Sequence, residues 1–147
     1  MFKILTILFF SALSILAADV NWTKDYHSAL KQAKEQNKPV LFISSRHSCK
    51  YCVMLDETTL KDQRVVKGLN RDFISVTSYS DERDYMPREL WRPGTPAIWF
   101  LMPSGEPMFE PIMGAVDADN FLRALAIVKE EFKKTQESKD DFYKLNK

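Results

Sequence analysis

Residues 38–52 read Lys38-Pro39-Val40-Leu41-Phe42-Ile43-Ser44-Ser45-Arg46-His47-Ser48-Cys49-Lys50-Tyr51-Cys52. Val40 to Ile43 is a short, unbroken apolar run of branched and aromatic residues, the pattern of a strand buried on both faces. A five-residue loop, Ser44 to Ser48, then delivers the only two cysteines of the chain, three positions apart. So close a pair either exchanges electrons as dithiol and disulfide or helps to hold a metal.

Outward from this stretch the periodicity changes. Between Thr23 and Asn37, Tyr26, Leu30 and Ala33 recur at helical spacing among Lys, Gln and Glu, and Asn37-Lys38-Pro39 ends the pattern. After Cys49, apolar residues at 52, 53, 55 and 60 and then at 65, 66 and 69 predict helix in two segments, with Asp62 placed to cap the second. Phe73 to Val76 and Ala97 to Leu101 read as further strands, joined by a polar loop over 79–93 with Pro87 and Pro93. Pro103-Ser104-Gly105 predicts a turn into a weaker strand over Met108 to Ile112. Asp117 is placed to cap a last helix carrying the stripe Phe121, Leu122, Leu125, Val128 and Phe132. From Gln136 the polar composition predicts fraying. The sum is an α/β fold in three layers, a central mixed sheet flanked by helices.

Residues 1–17, MFKILTILFFSALSILA, have the charged start, apolar core and small-residue exit of a secretory signal. The apolar run from Ile4 to Leu16 is short for a membrane span. Cleavage near Ala17 or Ala18 is expected, with an uncleaved N-terminal anchor as the alternative. The expected organisation is a signal peptide over 1–17, one domain over 18–135 and a polar tail over 136–147, located in the periplasm or secreted. About 130 remaining residues suffice for one core and not for two. The 21 basic and 20 acidic residues give a formal charge of +1, which provides no nucleic-acid footprint. Lys61, Arg64, Lys67 and Arg71 are interleaved with Asp62 and Asp72, as on a solvated helix face.

Export makes an inert staple the ordinary use of two cysteines. A disulfide enclosing only Lys50 and Tyr51 stabilises little through chain entropy, however, because that contribution grows with loop length. On a helix, residues i and i+3 lie about 4.5 Å apart along the axis on one face, within the roughly 4.4–6.8 Å between alpha carbons that a disulfide tolerates. A helix starting at or just after Cys49 sets that sulfur at the positive end of the macrodipole beside unpaired amides, which favours the thiolate. Cys49 is therefore the expected nucleophile, with Lys50 adding positive charge. Cys52, a turn deeper, is the expected resolving thiol. Tyr51 either packs on a partner or is an ordinary surface aromatic. His47 either tunes the thiolate or stands by. His27, on the first helix, reads as surface.

In order along the chain, Asn37-Lys38-Pro39-Val40-Leu41-Phe42, Cys49-Lys50-Tyr51-Cys52, Gly94-Thr95-Pro96 before a strand, Ser104-Gly105 at a hairpin and Gly114 before the last helix resemble the thioredoxin superfamily. The chain looks most like its small exported members, the SoxW type and the C-terminal domain of the transmembrane Dsb electron carrier. The resemblance implies a cis Thr95-Pro96 bond opposite the cysteines, with the backbone of Thr95 free to pair with an extended substrate. It also implies protein thiols and disulfides as substrates and a membrane electron donor of the Dsb type. Dedicated Dsb oxidants carry a helical insertion for which this chain lacks length. Two positions depart from the cytosolic pattern: Ile43 stands where a buried aspartate accepts the resolving thiol's proton, and Ser48 where a tryptophan precedes the first cysteine. Water, Asp56 or Glu57 remain as acceptors, the two carboxylates reading otherwise as exposed helix residues.

Other chemistries are poorly supplied. Val53 occupies the place of a haem-site histidine, and Cys49, Cys52, His47 and His27 make a poor zinc set. Met86, Met102, Met108 and Met113 raise a Cu(I) carrier, although their spacing is irregular. The expectation is an exported thiol-disulfide oxidoreductase without cofactor or metal, monomeric, reductase- or isomerase-like rather than oxidant. The alternatives are a Cu(I) metallochaperone and a non-catalytic binding module.

Overall fold

The computed structural model describes residues 17–145. The expected signal segment, apart from Ala17, lies outside them. Helix α1, Tyr26–Gln36, is capped by Asp25, whose carboxylate accepts from the Ser28 amide at 2.8 Å, and it ends where Asn37 turns left-handed at φ 48°. Strand β1, Val40–Ser45, feeds helix α2, Lys50–Glu57. A 3₁₀ turn, Thr59–Lys61, leads to α3, Gln63–Asp72, which Asp62 caps as expected. Strand β2, Ile74–Tyr79, is followed by a long connection holding one 3₁₀ turn, Arg88–Leu90. Strands β3, Ala97–Leu101, and β4, Ile112–Met113, precede the long helix α4, Ala118–Leu145.

The strands lie in the order β2-β1-β3-β4. β1 runs parallel to β2 and antiparallel to β3, and β3 runs antiparallel to β4. Because side chains alternate across a strand, β1 contributes to two separate cores. Leu41 and Ile43, with Ile98 and Phe100, meet Leu55 of α2, Val65, Val66 and Leu69 of α3, and Phe121, Leu125 and Val128 of α4. Val40 and Phe42, with Trp99 and Leu101, meet Tyr26, Ala29 and Ala33 of α1. Each fully buried large side chain contributes about 1.5–3 kcal/mol against unfolding. At the outer edge of β2, Trp22 bridges Ser75 in parallel fashion and the Thr23 amide donates to the Ser75 carbonyl at 2.8 Å.

Three expectations change. Ser44 and Ser45 belong to β1, buried and in register with Ser78 and Tyr79, so the connection to the cysteines is shorter than Ser44 to Ser48. The weak strand over Met108 to Ile112 contracts to Ile112–Met113, because Pro107 and Pro111 have no amide hydrogen to give the ladder. An isolated bridge between Leu101 and Pro107 remains of it. From Gln136 the chain does not fray but stays helical to Leu145. Ion pairs one turn apart, Lys134–Glu130, Lys133–Glu137 and Lys144–Asp141, line this polar extension.

Candidate active site

Cys49 is the cap of α2. Its backbone is extended, at φ −91° and ψ 117°, and its Sγ accepts the Cys52 amide hydrogen at 3.3 Å. The Cys49 amide donates back to the Arg46 carbonyl at 3.2 Å, which tightens the turn after β1. Both cysteines are free thiols, Cys49 half-buried and Cys52 only 1% exposed. The first sulfur thus faces solvent from the amide-rich end of a helix, and the second sits one turn inside.

Gly94-Thr95-Pro96 comes up opposite. The Thr95-Pro96 peptide is cis, Gly94 has φ 110°, and the Cys49 thiol donates to the Thr95 carbonyl at 3.3 Å. Pro96 is buried, and its carbonyl accepts the Gly114 amide hydrogen at 2.8 Å, so β4 secures the loop from behind.

The two thiols are driven apart electrostatically. Burial pushes Cys49 up, but hydrogen bonds from the Cys52 thiol, the Thr95 side chain and the Cys52 and Tyr51 amides outweigh it and leave it below the ordinary 9.0. Burial pushes Cys52 up, and its hydrogen bond to Cys49 holds its proton in place. Ser45, Thr95 and the Arg46 backbone offset this only in part. Opposed shifts within one pair separate a nucleophile from a proton-bearing partner.

The flanking residues divide. Lys50 is exposed at the first position of α2, and Tyr51 is 56% exposed beside the cysteines. His47 is brought to Glu82 and Tyr79 instead of to a sulfur: Nε2 lies 2.6 Å from Glu82 Oε1, and the ring stacks on Tyr79 at 4.1 Å. Its amide donates to Asp81 at 2.7 Å, and that of Ser48 to the same oxygen at 3.4 Å. Asp81 therefore clamps the loop that positions Cys49. Burial raises the Asp81 carboxyl, and these amides, with its own, bring it below the ordinary range.

Sequence reasoning missed Ser45, Tyr79, Asp81 and Glu82. The available signal was a serine pair at the end of an otherwise apolar strand. Ile43 lies fully in the core with Leu55, so β1 places no carboxylate beneath Cys52. The methionines are scattered: Met108 packs on one face of the sheet, Met86 on the other, and Met113 is exposed against Gly94. Among the described residues no group of three or more His, Cys, Asp and Glu could hold a metal ion.

A three-layer fold with a dithiol at a helix start and a cis proline across from it defines a class. The family model for the thioredoxin-like domain matches residues 26–129, and the chain belongs to that family. Among individual proteins it is similar to mouse anterior gradient protein 3, at 28% identity over 81 residues, covering 50% of this chain and 49% of that protein. It is also similar to rat spermatogenesis-associated protein 20, at 30% over 64 residues, covering 44% of this chain and 8% of that one. The chain thus spans about half the length of the first of these relatives and a small part of the second. Solved structures sharing the fold include a thioredoxin from Thermus thermophilus, with TM-score 0.64, 24% identity, and coverage of 76% of this chain and 88% of that one. The reduced C-terminal domain of DsbD from Neisseria meningitidis gives TM-score 0.55, 23% identity, and coverage of 68% and 90%.

Proposed function

We propose that the protein is an exported thiol-disulfide oxidoreductase that reduces or isomerises protein disulfides. The observation that carries this reading is the placement of Cys49 at the start of α2, its Sγ accepting the Cys52 amide hydrogen at 3.3 Å opposite the cis Thr95-Pro96 bond, with Cys52 buried one turn inside. The Cys49 thiolate attacks a substrate disulfide, forming a bond to one sulfur and releasing the other as thiolate. Cys52, once deprotonated, attacks Cys49, closing the ring and expelling the second substrate thiolate. Two electrons pass from the dithiol to the substrate. The Thr95 backbone, opposite Cys49, pairs with the substrate segment, and the exposed Tyr51 packs against the partner.

Export is supported by the pattern of residues 1–17, and among the described residues no helix is long and apolar enough to cross a membrane. The connection from Tyr79 to β3 contains a single 3₁₀ turn in place of a helical insertion, which favours a reductive direction over a dedicated oxidant. A reductive cycle outside the cytoplasm needs a membrane electron donor of the Dsb type. We place the working domain over 18–135 and take it as a monomer.

Redox titration against glutathione, paired with trapping by Cys52→Ser, tests the reading. A low potential and trapped disulfide-bonded proteins support it. A potential as high as those of strong oxidants overturns the direction, and a dithiol that never cycles overturns the activity.

A further inference from the structure

Ile43 leaves the resolving thiol without a carboxylate from the sheet, yet one approaches from the helix. Asp56 stands four residues after Cys52 on α2, so the two share a face. It is half-buried, and among the described residues its carboxylate has no hydrogen-bond or ion-pair partner. In this it differs from Asp25, Asp62, Asp72, Asp81 and Asp117, each of which is bonded. Even the nearby Lys61 is taken by Asp19, at 2.6 Å.

Asp56 lines a cavity of about 340 Å³ together with Tyr79, Trp22, Lys61 and Asp19. Tyr79 belongs to the same corner as the resolving thiol. It is in register with Ser45, so both project from the α2 side of the sheet, and burial, with Asp56, Glu82 and Cys52 adding, pushes the Tyr79 hydroxyl up. An unpaired carboxylate thus stands one turn from a buried thiol that must lose a proton, and the same carboxylate opens onto a cavity.

We propose that Asp56 accepts the proton of Cys52 along their shared face of α2 during the resolving step, a role that rests on the redox reading above. The Cys52 S–H gives its proton to the Asp56 carboxylate. Its electron pair forms the bond to Cys49 Sγ as the bond between Cys49 and the substrate sulfur breaks. The substrate leaves as thiolate and takes a proton from solvent, and Asp56 releases its own through the cavity mouth. Burial also pushes the Asp56 carboxyl up, with His47 and Lys61 opposing and Glu57 adding, which brings it nearer to the range of a working base.

The test mixes reduced protein with 5,5′-dithiobis(2-nitrobenzoate) and follows release of the coloured thiolate. Attack by Cys49 scales with reagent concentration, and ring closure by Cys52 does not, so the two steps separate. Asp56→Asn should slow ring closure by about tenfold or more near neutral pH, recover as pH rises, and leave the first step unchanged. Asp56→Glu, which keeps the carboxylate, should retain most of the wild-type pH profile and serves as well if the Asn variant folds poorly. A ring-closure profile unchanged in Asp56→Asn, or one lowered equally at every pH or equally in Asp56→Glu, overturns the role of Asp56 while leaving the redox reading intact. Release of only one thiolate by the wild-type protein overturns both.

Discussion

The thiol of Cys49 and the carbonyl of Thr95 meet at 3.3 Å, joining the start of α2 to the loop before β3 across 46 positions of sequence. Neither segment is a site alone. The helix start supplies amides, and the loop supplies a side-chain donor and an acceptor, so the chemistry of Cys49 depends on both.

This dependence is measurable as reactivity. Alkylation of Cys49 by iodoacetamide should reach half its maximal rate below pH 9.0, the ordinary thiol value, because hydrogen bonds outweigh burial there. Cys52 in a Cys49→Ser background should require higher pH. Thr95→Val removes a donor to the thiolate and should move the Cys49 profile upward. Coincident profiles for the two cysteines would contradict the assignment of nucleophile and resolver.

Asp81 holds the His47 and Ser48 amides from the far side of the site. Asp81→Ala should raise hydrogen exchange of those two amides by about tenfold, a loss of roughly 1.4 kcal/mol in local protection. Exchange at Val76 on β2 should stay unchanged. Equal acceleration throughout β2 would show general loosening instead of a released clamp.

Acid should loosen the seam between α3 and α4. Asp72 is held down to about 2 by Arg71 and then Lys129, whose Nζ lies 2.6 Å away on α4. A depressed carboxyl stabilises the fold fully above its unfolded value of 3.8, and that contribution disappears as pH falls through about 2. Asp72→Asn should therefore lower the melting temperature at pH 6, through a loss of about 1 kcal/mol or less for so open a pair. It should have little effect at pH 2.

Gly105 turns the hairpin with φ 95°, and a Cβ there meets the Tyr26 hydroxyl at 2.8 Å and Leu30 at 3.2 Å. Gly105→Ala should cost about 1–2 kcal/mol from the left-handed backbone alone, with displacement of α1 adding to it. Chemical denaturation measures the loss, while Cys49 reactivity should be preserved.

What could be read in advance was local. Val40 to Ile43, the Asp62 and Asp117 caps and the cysteine spacing each declare themselves within a few residues, and all appear in the fold. Ser45 and Tyr79 could not be read this way. They matter because β1 and β2 pair in parallel register, a relation between strands separated by two helices. Asp56 stood in the sequence only beside water and Glu57 as one acceptor among three, because the cavity it lines depends on Trp22 and Tyr79 arriving from elsewhere. The strand over Met108 to Ile112 failed for a different reason: apolar character was sufficient, and hydrogen-bond donors were not.

The bridge from Trp22 to Ser75 gives the outer side of β2 a covering from the chain itself. An uncovered strand edge offers a template for pairing with a second chain. The residues just before α1 act as a short chaperone in cis, capping that edge in the folded state. Shortening the chain past Trp22 therefore bears first on whether molecules stay apart at high concentration, before it bears on how fast they exchange electrons.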